Sequence, residues 1–311
     1  MKSSRCLNTV ILIVSFSISM IATVRISSAG QQNSLGVGDL NEACNRGTYL
    51  ACFSLGTMYA SGNGVSKDDS RAFALFQRAC DGSNAQGCSG LGTMYENGAG
   101  VQKDLEYAIS LYRKACDGGG SLGCARLGAL YDAGIGLPKD AGVAVSFYQR
   151  ACDEGYPVGC GELGRMYFNG IGVAKDVKHG VSLYVNACER GAPRACTLLG
   201  TAYTFGRGVE HDDSRAAEFY KRGCDEGSAE GCAILGRTYS VGRGVAKDQK
   251  MAFTLFQRAC ENGVPEGCKS LGDSYEFGEG VASDQAKASA LYRKACGMGD
   301  TSACGKEKGA H

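Results

Sequence analysis

Small and apolar residues recur along this chain in two alternating helical patterns. Cys52, Leu55, Gly56 and Tyr59 stand at i, i+3, i+4 and i+7, the spacing of one helix face. About twenty residues on, Ala72, Leu75, Phe76, Ala79 and Cys80 repeat that spacing on a second segment. Between the two lie paired glycines such as Gly62 and Gly64, an aliphatic such as Val65 and an aspartate such as Asp68. Gly62 suits a left-handed residue ending the first helix, and Asp68 suits the N-cap of the second. Pro157, Pro193 and Pro265 each fall three residues before a cysteine, where the first helical position needs no amide donor. Thr48, Asn84 and Ser228 precede that position and are candidate caps. The pattern predicts an antiparallel helical hairpin.

The hairpin repeats with a period of 36 residues and no insertion or deletion. The cysteines mark it, at 44/52, 80/88, 116/124, 152/160, 188/196, 224/232, 260/268 and 296/304. A leucine-glycine pair (Leu55-Gly56, Leu91-Gly92 and onward to Leu271-Gly272) and a following tyrosine keep the same register. A fixed period in this range predicts a solenoid whose core forms by stacking, because one hairpin alone has nothing to bury its apolar face against. The expected fold is therefore all-α, a solenoid of helical hairpins. One unit departs from its neighbours, with Gly180 where the others carry alanine.

The string L-G-x-x-Y…G-x-G-V-x-x-D…A…L-[FY]…A resembles the Sel1-like repeat, a relative of the tetratricopeptide repeat. It recurs in seven units. The C-x7-C added to each unit resembles the secreted Helicobacter cysteine-rich protein family. That resemblance implies a right-handed α/α superhelix with a concave face, disulfide-bridged repeats, and an association with penicillin binding and weak β-lactam hydrolysis. Under it the chain divides into a signal peptide (1–29), an N-terminal cap segment (30–43), seven repeats (44–295) and a C-terminal cap and tail (296–311). Leu40 to Cys44 reads as the last turn of a truncated second helix.

The paired cysteines admit three readings: staple, metal clamp or redox couple. Metal sites favour C-x2-C spacing or nearby histidines, and His179, His211 and His311 occupy no repeated position. Redox chemistry favours a single C-x-x-C. A staple is the favoured reading, pairing Cys44 with Cys52, Cys80 with Cys88, Cys116 with Cys124 and Cys152 with Cys160. The same spacing pairs Cys188 with Cys196, Cys224 with Cys232, Cys260 with Cys268 and Cys296 with Cys304.

Composition adds the compartment. Lys2 and Arg5 precede an uncharged run from Leu7 to Val24, and Ser27-Ser28-Ala29 offers a cleavage site, the form of a secretory signal. The 17 cysteines suit the oxidising compartment such a signal leads to. The localisation expected is secreted or periplasmic, with no membrane span after cleavage. A formal net charge of +1 gives no electrostatic reason to expect nucleic acid.

Chemistry is thin in the motifs. Gly62–Lys67 and Gly242–Lys247 look like phosphate loops, but they recur between helices and follow no strand. Ser-x-x-Lys, Lys-Thr-Gly and Ser-Asp-Asn are absent, as is H-E-x-x-H. No metal site and no cofactor are expected, and Asp68-Asp69 and Asp212-Asp213 read as helix caps. By analogy with tetratricopeptide repeats, the first helix lines the groove. Its exposed stripe then carries Phe53, Glu96, Asp132, Arg165, Phe168, Arg194, Glu230, Arg237, Glu266, Lys269, Asp273 and Glu276. The candidate binding residues are Phe53 and Phe168 as anchors and Arg165, Arg194 and Arg237 as carboxylate partners, with Lys269 and Asp273 beyond them. The function expected is a monomeric exported scaffold binding a protein or peptide. A cell-wall peptide and a β-lactam, bound or hydrolysed, are the alternatives.

Overall fold

The computed structural model describes residues 36–306, and the expected signal peptide and the last residues of the tail lie outside them. Among the described residues there are fifteen α-helices and no strand. After α1 (Val37–Asn45) the chain alternates two kinds of helix, each 13 residues long. The first helices are α2 (Tyr49–Ser61), α4 (Ala85–Asn97), α6 (Ser121–Ala133), α8 (Pro157–Asn169), α10 (Pro193–Phe205), α12 (Ala229–Val241) and α14 (Pro265–Phe277). The second helices are α3 (Asp69–Asp81), α5 (Leu105–Asp117), α7 (Ala141–Asp153), α9 (Val177–Glu189), α11 (Asp213–Asp225), α13 (Gln249–Glu261) and α15 (Gln285–Gly297).

The boundaries have local causes. Pro157, Pro193 and Pro265 open their helices, where their missing amide hydrogens go unmissed. Each second helix is capped by an aspartate, as Asp68 accepts from the Arg71 amide at 2.9 Å. Asn84 and Ser228 cap α4 and α12 through their side chains, whereas Thr48 makes no such bond to α2. Each first helix ends on a glycine in the left-handed region, from Gly62 (φ 74°) to Gly278 (φ 71°).

The hairpins close on the leucine-glycine pair. A Cβ on any glycine of the Gly56 series would stand only 2.6–2.9 Å from the facing Phe or Tyr ring of the second helix. That ring is Phe76, Tyr112, Tyr148, Tyr184, Tyr220, Phe256 or Tyr292, buried in every unit. Alanines of the Ala72 and Ala79 series are buried beside it. Gly180, the exception, faces Phe168 of α8: a Cβ there would lie 2.8 Å from the Phe168 amide nitrogen and 2.9 Å from its Cβ.

Seven disulfides join the end of α1 or of a second helix to the start of the next helix along the chain, and the eighth joins Cys296, near the end of α15, to Cys304 in the turn that follows it. They pair cysteines eight apart in sequence, with Cα atoms 4.4–4.8 Å apart. They bridge successive hairpins. A second tie runs beside them, from a cation near the end of a second helix to the C-terminal carbonyls of the preceding second helix or of α1. Lys114 and Lys294 donate to the Cys80 and Cys260 carbonyls at 3.3 Å, Arg78 to Asn45 at 3.2 Å and Arg222 to Glu189 at 3.3 Å. Arg150 donates likewise to Cys116. Positive charge is favourable at that end of a helix, where carbonyls lack intrahelical partners.

Curvature follows from which helices come together. Each first helix packs on the first helix of the next hairpin, α2 on α4 through to α12 on α14. No comparable ladder joins the second helices. The first helices are therefore the inner, concave layer.

Candidate functional site: the inner face of the first helices

The floor of the inner face is made by hydroxyls reaching through from the second layer. Tyr112 donates to Glu96 of α4, and Tyr292 donates to Asp273 at 2.7 Å and to Glu276 of α14. Tyr220 bonds with Thr201 at 3.3 Å and Thr204 at 2.9 Å on α10. Burial is the main cause that pushes the phenols of Tyr112, Tyr148, Tyr184 and Tyr292 well above their ordinary range, and adjacent carboxylates push in the same direction. Tyr112 and Tyr292 act as neutral hydrogen-bonding posts at the base of the groove. The repeated aromatic at this position was legible as core, but its polar end was not.

Between α6 and α8 the inner layer opens into a cavity of about 540 Å3. Leu122, Ala125, Ala129 and Val158 give it apolar walls, and Tyr148 and Tyr156 add aromatic ones. Its charged groups form a chain. Arg165 pairs with Asp132 of the preceding hairpin and, at 2.7 Å, with Glu162; Glu162 also holds Arg194 of the following hairpin at 2.6 Å. Burial works against the charge on Arg165, but Glu162 and Asp132 more than offset it and raise its pKa. Arg126 also lines this cavity.

The seven candidate binding residues fall into different roles. Arg165 and Arg194 meet at Glu162, as parts of one network across three hairpins. Arg165 is the inner member, with its side chain 18% exposed, and Arg194 is open at 63%. Arg237 lies farther along and pairs with Glu266 of the next first helix. Phe168 is buried, packed 5.7 Å from the Tyr184 ring with the Arg207 guanidinium 4.4 Å over its other side. Phe53 is half-buried against Phe76 in the first hairpin. At the far end Lys269 is half-buried, and Asp273 accepts from Tyr292 and, at 2.6 Å, from Lys306. Phe168 sits inside the stack against Tyr184 of α9 and beneath Arg207, partners that periodicity within its own helix does not reveal.

The chemistry available here is recognition by shape, aromatic contact and guanidinium–carboxylate pairing. Among the described residues no group of three His, Cys, Asp or Glu is placed to hold a metal ion. None of their helices is long and apolar enough to cross a membrane. Eight disulfides are the pattern of a protein that folds under oxidising conditions.

The match to known proteins is repeat by repeat. The Sel1 repeat model matches residues 50–84, 85–120, 121–156, 157–191, 193–228, 229–264 and 265–300. Among solved structures, the chain is similar to a protective antigen of uropathogenic Escherichia coli strains with an SLR fold. Identity there is 30% and the TM-score 0.61, over 87% of this chain and 58% of that one, so this chain spans little more than half of that antigen. A Sel1 repeat protein from Oxalobacter formigenes is 28% identical with a TM-score of 0.64, over 88% of this chain and 80% of that one. Cysteine rich protein B of Helicobacter pylori is 28% identical over 42% of this chain and 97% of its own, with a TM-score of 0.35. No curated protein matches significantly. With seven tandem matches over most of its length, this disulfide-stapled solenoid scaffold belongs to the Sel1 repeat family.

Proposed function

We propose that the protein is an exported scaffold that holds a protein or peptide segment along the concave face of its first helices. The observation carrying this reading is that two cavities, of about 540 and 390 Å3, open between successive first helices, α6/α8 and α10/α12. Their walls combine apolar side chains with arginines, a mixture suited to anchoring side chains and pairing acidic groups. The eight disulfides support the exported part of the reading, since such bonds persist in secreted and periplasmic proteins. Among the candidate residues, Arg194 and Arg237 have more than half of their side chains exposed and each has one carboxylate partner to exchange for a ligand's. Arg165 positions Glu162 and, through it, Arg194.

The β-lactam reading lacks a comparable observation. The larger cavity has no serine, cysteine or lysine in its lining, and its Tyr148 phenol is held neutral by burial.

Site-specific photo-cross-linking in the source organism's exported fraction tests the scaffold reading. A photoreactive residue replaces Ala129, exposed in the cavity wall, or Glu106, exposed on the second layer. A discrete cross-linked product from position 129 and none from 106 is expected. Equal labelling from both positions, or none from 129, contradicts the groove reading.

A further inference from the structure

The last residue of each first helix changes character along the array. It is Ser61, Asn97, Ala133 and Asn169 in the first four hairpins, then Phe205, Val241 and Phe277. Those three apolar side chains are 67%, 64% and 66% exposed. They stand one per repeat at the same helix position, so they form a ledge along one lip of the groove in its C-terminal part. Neither stacking nor the hairpin closures use them.

Phe205 and Val241 are also two walls of the 390 Å3 cavity between α10 and α12. Ile234 completes its apolar surface, and Thr201, Thr204, Tyr220 and Thr238 supply its hydroxyls. Those hydroxyls are already satisfied. Thr204 and Tyr220 bond to each other at 2.9 Å, Tyr220 and Thr201 at 3.3 Å, and Thr238 donates to the Ile234 carbonyl at 2.9 Å. An apolar group entering here leaves no hydroxyl donor unpaired, which keeps the cost of covering the floor low.

Polar demand lies at the rim, and it is positive. Arg237 and Arg243 line the cavity, and Arg243 follows Val241 by two residues. The preceding hairpin repeats that arrangement in Phe205-Gly206-Arg207. Arg237 has Glu266 as its partner. Arg243 is exposed and has no carboxylate within ion-pairing distance among the described residues. An apolar hollow with a cationic, incompletely neutralised edge complements an apolar side chain flanked by a carboxylate.

We infer that the ledge and cavity between α10 and α12 form a specificity subsite for an acidic-apolar peptide segment. A leucine- or phenylalanine-sized side chain enters between Phe205 and Val241, and a neighbouring glutamate or aspartate pairs with Arg243. This rests on the scaffold reading and names the chemistry of the segment such a scaffold takes.

The test uses the oxidised protein and a fluorescein-labelled, end-capped peptide of alternating leucine and glutamate, read by anisotropy. A control peptide has glutamine for glutamate, and sodium dodecanoate serves as a competing apolar carboxylate. Binding of the glutamate peptide is expected with Kd below about 1 mM, at least about tenfold tighter than the control. Arg243→Gln and Val241→Ser alter exposed side chains and each is expected to weaken binding about tenfold, with far-ultraviolet circular dichroism unchanged. No binding at about 1 mM overturns the subsite. So does binding indifferent to both substitutions; if that binding is lost in Arg194→Glu, the subsite alone fails and the groove reading stands. Binding of dodecanoate without the peptide assigns the ledge to an amphiphile and overturns the peptide inference.

Discussion

Gly180 shows how a single departure from a repeat carries information. Six hairpins place alanine there, and the seventh gives up a methyl group where the α8 backbone comes too close for one. Gly180→Ala would set a Cβ 2.8 Å from both the Gly164 carbonyl oxygen and the Phe168 amide nitrogen, atoms that cannot swing aside. It is expected to cost about 1–3 kcal/mol, measured by urea unfolding of the oxidised protein. An unchanged midpoint would contradict the packing described here. The buried tyrosines give a pH signature. An ordinary phenol ionises near pH 10, and burial raises Tyr112, Tyr148 and Tyr184 above that. Their raised folded-state values leave stability intact below about pH 10 and remove it as pH climbs through and beyond that point, because only the unfolded chain releases these protons there. Absorbance at alkaline pH should show these phenols ionising late, together with loss of helix. Phe168 and Phe205 mark the limit of reading residues from the sequence. The first is buried against Tyr184 and Arg207, in other elements, and the second is exposed one position farther round its helix. Periodicity within one helix separates two faces, but it does not say what the next helix brings.

At the scale of elements the sequence was far more informative, because each boundary has a local chemical cause. The aspartate caps, the prolines at the helix starts and the left-handed glycines all lie where their spacing placed them. The disulfides follow from the same geometry: a second helix ends and a first helix begins at one corner, which brings residues eight apart together. Removing one, with Cys152→Ser and Cys160→Ser together, is expected to cost about 2.5 kcal/mol if chain entropy dominates. Comparing unfolding midpoints of the double variant and the parent checks it, and a loss well under 1 kcal/mol would assign the corner's stability to its packing and carbonyl contacts. The cationic tie from Lys114, Arg150 and Lys294 was not read from the sequence. Its donor and acceptor are about one repeat apart, and only stacking reveals that the second helix's last turn meets the previous corner.

At the scale of the whole molecule, each hairpin packs on its neighbours, and the core is divided into a row of clusters rather than one centre. Stability in such an array is close to a sum of repeat and interface contributions, so repeats are free to vary the residues that stacking does not use. The inner face varies from hairpin to hairpin. Charged networks occupy the middle hairpins and the C-terminal end, and between them Phe205 and Val241 are exposed with Arg207 and Arg243 two residues on. The groove was legible as a place, from the period and the helix order. Its charge pattern was not, because Arg165, Arg194 and Arg237 find their carboxylates across hairpin boundaries. Whether the inner face holds a partner is tested by cross-linking from position 129, repeated with Arg194→Glu and Arg237→Glu combined. These are open side chains, so the helical signal and the disulfides should survive the change. The cross-linked product is expected to fall at least about tenfold, the loss of one or two charge-assisted contacts. A yield equal to the parent's, in a protein that remains folded, would contradict it.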